Sequence, residues 1–178
     1  MVIRVLVVDD SAYVRKVLRE ILDRRPDIEV VGAAGDGYQA LEKIEALKPD
    51  VVTLDLYMRG LDGVEFMKKQ GKRRPVPVVI CSSADRDDGQ VIAAMEAGAI
   101  EFVQKPTHRA TEEVYQIEQD LIEKVIAAAS VSPERISQAF LHNGNQQDPV
   151  PPAALPGRPG GGPRRRRGRG GREKRAPP

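Results

Sequence analysis

Apolar residues in the first 128 positions fall into two alternating patterns. Short β-branched runs, Ile3 to Val8, Glu29 to Ala34, Val51 to Asp55, Val76 to Ser82 and Glu101 to Lys105, are the strand candidates. Their apolar residues are continuous rather than alternating with polar ones, as expected of strands covered on both faces. Between the runs the apolar period lengthens to that of a helix. Val14, Val17, Leu18, Ile21 and Leu22 form one stripe, with Ser11 or Asp10 available as cap, and Ala40, Leu41, Ile44 and Leu47 form a second. A third helix is expected from about Asp62 to Gln70 on the thin stripe of Val64, Phe66 and Met67. A fourth, Asp88 to Ala97, ends at Gly98, a left-handed C-cap candidate, and a fifth starts near Thr111 with Val114, Ile117, Leu121 and Val125 on one side. Five βα units in ~125 residues specify an α/β fold with a doubly wound, five-stranded parallel sheet and five helices.

The pattern changes after Ala129. A weak helical segment, Ser132 to Leu141, precedes a stretch in which 26 of the 30 residues from Pro149 to Pro178 are Pro, Gly, Ala or Arg. Such a composition buries too little apolar surface to offset its ordering entropy, so a disordered tail is expected. The organisation read from the chain is a domain at 1–128 and a linker with a Pro/Gly/Arg-rich tail at 129–178. A length of 178 residues suits one domain of ~100–150 residues plus an appendage. Charge follows the same division. Residues 157–178 hold nine Lys or Arg against one acid, a net +8, which with the whole-chain +2 leaves −6 on residues 1–156.

Cys81, the single cysteine, excludes an intramolecular disulfide and fits a reducing compartment; its default role is a buried small apolar side chain. The N-terminal apolar run is too short for a secretory segment, and no stretch approaches the ~18 apolar residues of a membrane span. A cytoplasmic protein is expected.

The chemistry gathers where the strand candidates end: Asp9 and Asp10 after the first, Asp55 after the third, Ser82 after the fourth and Lys105 after the fifth. Open α/β sheets bind ligands at the carboxyl ends of their strands. In the flavodoxin-like order 2-1-3-4-5 the first and third strands are neighbours, so Asp9, Asp10 and Asp55 converge although distant in sequence. Two such charges ~4 Å apart repel by roughly 4 kcal/mol at an effective dielectric near 20, so the cluster needs a cation or raised pKa values. Magnesium suits it, since Mg²⁺ takes oxygen ligands and keeps several waters at a solvent-facing site. Lys105 supplies an ammonium that can hold Asp55 and pair with phosphate oxygens, Pro106 would help fix its loop, and Ser82 can hydrogen-bond a phosphoryl oxygen. Each feature has an ordinary alternative. An isolated D-D-S caps a helix, a lone strand-terminal Asp or Ser is a turn residue, and a K-P pair alone carries no information. Their occurrence together, in this order at successive strand ends, favours a phosphoryl-accepting magnesium site.

The segments VLVVDDS, VTLDLYM followed by LDG, VVICSS and GAIEFVQKP resemble those of a bacterial two-component receiver domain. Within that family, IRVLVVDDSAYVRKVLREIL, DIEVVGAAGDGYQALEKI, KPDVVTLDLYM and AMEAGAIEFVQKP are most similar to the regulatory half of chemotaxis protein-glutamate methylesterases. The resemblance implies that Asp55 is the phosphorylated aspartate, that Asp10 binds Mg²⁺ directly and Asp9 mainly through water, and that the backbone carbonyl of Tyr57 is a further ligand. It implies that Lys105 contacts the phosphoryl group, that Ser82 moves toward it and that Phe102 is an aromatic switch, although an aromatic in a buried strand is ordinarily core. It further implies a chemotaxis-type histidine kinase as phosphodonor and a downstream effector on the face of the fourth helix, fifth strand and fifth helix.

Two departures stand out. Arg59 follows Met58 where the family usually has proline, which leaves the stiffness of that loop open. Downstream, only His108 and His142 are available, and no glycine-flanked serine with triad partners follows, so methylesterase activity is not expected. The Arg-rich run PRRRRGRGGR offers a second function, salt-sensitive binding to nucleic-acid phosphates or an anionic surface, without aromatics for base stacking. A third reading makes the tail out-of-frame translation of GC-rich DNA in place of a lost esterase domain. Other enzyme classes fit poorly. G-A-A-G-D-G at 32–37 is not a dinucleotide fingerprint, Tyr57 stands where a D-x-D phosphatase needs its second acid, and carboxylates occupy the loop where a flavin phosphate would sit.

Overall fold

The computed structural model describes residues 2–73, 75–105 and 111–143, without the side chains of 111–116, 133, 142 and 143. The elements are β1 (Ile3–Val8), α1 (Ala12–Leu22), β2 (Ile28–Ala34), α2 (Gly37–Leu47), β3 (Val51–Leu54), α3 (Gly63–Gly71), β4 (Val78–Ser82), α4 (Gly89–Glu96), β5 (Glu101–Gln104), α5 (Thr111–Ala129) and α6 (Pro133–Asn143). All strand pairs are parallel, in the order β2-β1-β3-β4-β5. The flavodoxin-like sheet expected from the sequence is the one observed.

The continuous apolar runs have the anticipated cause. One strand face (Leu6, Val8, Val52, Leu54, Val78, Ile80, Phe102) packs with Leu41 and Ile44 of α2, Phe66 and Met67 of α3, and Val91 and Ala94 of α4. The opposite face (Val5, Val7, Val51, Val79, Cys81, Val103) packs with Leu18, Ile21 and Leu22 of α1 and Leu121, Val125 and Ala128 of α5. Each fully buried Val or Leu contributes about 1.5–3 kcal/mol, so a polar substitution on either face exacts a large loss.

Short polar side chains start the helices. Ser11 accepts from Val14 N at 3.4 Å, Asp36 from Gln39 N at 2.9 Å, Asp62 from Glu65 N at 2.8 Å and Asp88 from Gln90 N at 2.8 Å. Because Ser11 caps α1, the Asp10 side chain is left for the site. Gly98 adopts φ +104 immediately after the Ala97 C-cap, the left-handed position expected from the sequence. Strand ends differ from expectation by a residue or two. β3 stops at Leu54, which leaves Asp55 on the loop, and β4 begins at Val78, after Pro77.

Both edge strands are covered by side chains from the helices. On β2, Asp23 accepts from Val30 N at 3.3 Å, Arg19 donates to Val30 O at 3.3 Å and Lys43 donates to Ala33 O. On β5, Lys124 donates to Phe102 O at 2.7 Å. These contacts occupy edge groups that would otherwise template pairing with another chain.

Among the described residues there are six helices rather than five. The weak helical segment beyond the expected domain end at residue 128 forms α6, with Ile136 5% exposed and Phe140 packed against the core. A Cβ added at Gly71 would strike the Phe140 ring, so the C-terminus of α3 is shaped around this aromatic. Among the described residues, no helix is long and apolar enough to cross a membrane. The expectations for Pro106, His108, the Arg-rich run and the disordered tail lie outside the described residues, as do the side chains of Val114 and His142.

Candidate functional site

The site is built by the register at the ends of β1, β3 and β5, with β1 and β3 neighbours and β4 between β3 and β5. Asp9 N donates to Ala34 O at 3.1 Å, continuing the β1–β2 ladder by one residue, and Asp55 N donates to Val8 O at 2.9 Å, doing the same between β3 and β1. Lys105 N donates to Ser82 O at 2.7 Å, extending the β4–β5 pairing. The three side chains therefore project from the last rungs of the sheet.

Carboxylate oxygens of Asp9, Asp10 and Asp55 all lie within 4.8 Å of one another. Asp9 is 1% exposed and Asp55 7%, while Asp10 is exposed. The Lys105 ammonium lies 2.5 Å from Asp9 Oδ2 and 3.0 Å from Asp55 Oδ2. Burial pushes the Asp9 carboxyl above its usual value, and the neighbouring Asp55 charge adds to this; together they outweigh Lys105 and the Ser11 N–H bonded to Asp9 Oδ1 at 2.9 Å. Burial alone would lower Lys105, but Asp55 and Asp9 prevail and hold it above its usual value as an ammonium.

Three carboxylates against one ammonium leave a charge deficit that a divalent cation would balance. All three acids offer oxygen donors, and exposed Asp10 leaves room for water, which fits the preference of Mg²⁺ for oxygen ligands and retained waters.

The loop after Asp55 is held without a proline. Leu56, Met58 and Leu61 are buried in the core while Arg59 points to solvent, and Gly60 takes the turn at φ +81. Tyr57 N donates to Asp55 Oδ1 at 3.4 Å, and the half-exposed Tyr57 phenol donates to Asp88, the α4 cap, at 2.8 Å. Ser82 is fully buried, and its hydroxyl accepts from Ala84 N at 3.3 Å. Phe102 is 5% exposed beneath the Arg86 guanidinium, 5.7 Å from the ring centroid. The structure thus unites Asp9, Asp10, Asp55 and Lys105 directly, links Ser82 through its carbonyl and leaves Phe102 in the core.

Several contributors were not singled out from the sequence. Arg15 donates to Asp9 O at 2.6 Å and Asp10 O at 3.1 Å, Asp88 receives Tyr57, and Gln104 donates to Asp85 at 2.6 Å, tying β5 to the loop after β4. Arg15 had a local signal, lying one helical turn after the Ser11 cap, and Asp88 was legible only as the start of the fourth helix.

The family model for the response regulator receiver domain matches residues 5–115. The chain belongs to that family. A protein-glutamate methylesterase/protein-glutamine glutaminase of Myxococcus xanthus is 51% identical to this receiver over 128 residues, 71% of the chain but 37% of the relative. The chain thus spans under two fifths of that relative's length. The crystal structure of the response regulator domain of Thermotoga maritima CheB is similar with a TM-score of 0.69 and 43% identity, covering 75% of this chain and 100% of that one. A CheX–CheY–BeF₃–Mg²⁺ complex from Borrelia burgdorferi is similar at a TM-score of 0.55 and 27% identity, covering 67% of this chain and 88% of that one. The protein is a receiver domain related to the regulatory domain of CheB.

Proposed function

We propose that this receiver accepts a phosphoryl group on Asp55 from a chemotaxis-type histidine kinase, with Mg²⁺ held by Asp10, by Asp9 mainly through water, by Asp55 and by the Tyr57 carbonyl. The observation that carries this reading is the Lys105 ammonium set between Asp9 and Asp55 at 2.5 and 3.0 Å, beside a three-carboxylate cluster. The likeness to the Borrelia complex, which contains Mg²⁺ and a fluoroberyllate, favours the same metal here.

An Asp55 oxygen attacks the phosphorus of the donor; the P–N bond breaks, and its electron pair stays on the imidazole, which takes up a proton. The bound cation would screen the phosphoryl charge. Lys105 exchanges its ion pair with Asp55 for phosphoryl oxygens. Ser82, whose hydroxyl accepts from the Ala84 amide and keeps its own O–H to donate, turns toward the phosphoryl group, and Phe102 follows it as the switch residue. The added charge of about −1.5 to −2 biases the surface formed by α4, β5 and α5, where a downstream effector would bind. Water then attacks the phosphorus and releases inorganic phosphate, restoring the carboxylate.

Incubation with radiolabelled acetyl phosphate and Mg²⁺ should label the protein at one site per chain. Asp55→Asn should abolish labelling, as should chelation of the metal. Undiminished labelling of Asp55→Asn would overturn the assignment.

A further inference from the structure

The β1–α1 junction exposes a backbone problem that the three carboxylates do not solve. The last ladder bond of β1 on this side is Asp9 N to Ala34 O, and the first helical bond of α1 is Arg15 N to Ser11 O. The carbonyls of Asp9 and Asp10 fall between the two systems. Both are taken by one side-chain nitrogen, Arg15 Nη1, at 2.6 and 3.1 Å. Arg15 is partly buried, and its helix is anchored to the sheet by Leu18, Ile21 and Leu22. The guanidinium therefore connects a fixed helix to the two peptide units that carry the metal-facing acids. Local bonds do not supply this. The Ser11 N–H orients the Asp9 side chain at 2.9 Å but leaves both carbonyls free.

We infer that Arg15 is a positioning residue for the cation site, setting the β1–α1 loop so that the Asp9 and Asp10 carboxylates converge on one ion. The inference rests on the reading of Asp9 and Asp10 as cation ligands given above. Its physical content is a conflict of signs. By Coulomb's law a guanidinium beside a cation site opposes the cation, so removing an Arg that acts only through charge tightens Mg²⁺ binding. Removing an Arg that orients the ligands weakens it, by about 10-fold or more where outer partners of metal ligands have this role. Lysine keeps the charge but lacks the planar fork, so it recovers only part of the orientation.

The test is calorimetric titration of the full chain with MgCl₂ for the wild type, Arg15→Gln and Arg15→Lys, with folding checked by urea unfolding. A metal-free readout, amide hydrogen exchange at Asp10 and Ser11 in EDTA, accompanies it. The expected result is an Mg²⁺ affinity about 10-fold weaker in Arg15→Gln, an intermediate value in Arg15→Lys and faster exchange at Asp10 and Ser11 without metal. Equal or tighter Mg²⁺ binding by Arg15→Gln overturns the positioning role while leaving the site reading intact. If Arg15→Gln does not fold, Arg15→Lys carries the comparison, and wild-type affinity in that variant overturns the proposal. Absence of Mg²⁺ binding by the wild type overturns the site reading, and the inference with it.

Discussion

The phenol of Tyr57 donates to the carboxylate of Asp88 at 2.8 Å, joining the loop after the candidate phosphoacceptor to the N-cap of α4. The bond raises the Tyr57 phenol above its usual value and lowers the Asp88 carboxyl below its own. For a raised phenol, the contribution to stability is complete below the unfolded value and disappears as pH rises through the folded one. For a lowered carboxyl, it is complete above the unfolded value and disappears as pH falls through the folded one. The bond is therefore fully in force between the ordinary values of 3.8 and 10.0. Asp88→Asn should return the Tyr57 phenol toward 10.0 in an absorbance titration, with Tyr57→Phe supplying the difference spectrum. An unchanged titration would show that the bond does not persist in solution.

Asp9 should make the metal-free receiver less stable as pH rises. Its carboxyl is held above the ordinary 3.8, mainly by burial, so the folded chain keeps this proton longer than the unfolded chain. Stability then falls as pH climbs from 3.8 through the folded value. Asp9→Asn, which removes the charge but retains an oxygen for the Ser11 N–H, should raise the urea midpoint in EDTA at neutral pH and weaken Mg²⁺ binding. A lower midpoint would mean that the Lys105 pair outweighs desolvation.

Cys81 should be chemically silent in the folded state. It is fully enclosed between β4 and the α1/α5 layer, and burial pushes its thiol up to about 12. Iodoacetamide at pH 8 should leave the native protein unmodified over hours and alkylate it fully in urea, as read by mass. Rapid native labelling would reveal frequent opening of this layer.

Phe140 should give α6 a measurable share of the stability. A fully buried Phe→Ala substitution costs about 3–5 kcal/mol, so a partly buried ring packed on Gly71 and Gly98 should cost about 2 kcal/mol. Urea unfolding of Phe140→Ala tests this. Gly71→Ala should be destabilising as well, because its methyl would occupy the space of the ring. Wild-type midpoints in both variants would indicate an undocked α6.

Most of the architecture was legible in local pattern. Continuous Val, Ile and Leu runs with intervening helical stripes require a sheet covered on both faces, and the acids at the ends of β1 and β3 stand at the strand ends where open α/β sheets bind ligands. The extent of packing was less legible. Ser132 to Leu141 is only weakly periodic because, among its described side chains, α6 buries little more than Ile136 and Phe140, and a two-residue anchor leaves almost no stripe. Phe140 packs where Gly71 and Gly98 leave space for its ring, and no local rule connects those glycines to it.

Residue type and order alone determined the fold class, the carboxylate cluster and the Lys105 counter-charge, because strand-end positions follow from hydrophobic period and sheet order. Tertiary structure decided which partner each polar group takes. It set Lys105 between Asp9 and Asp55, raised Asp9 through burial, turned Tyr57 toward Asp88 and brought Arg15 to two unclaimed carbonyls. Those outcomes depend on distances between segments remote in sequence and on how completely water is excluded from them. Neither quantity is encoded in the spacing of residues along the chain.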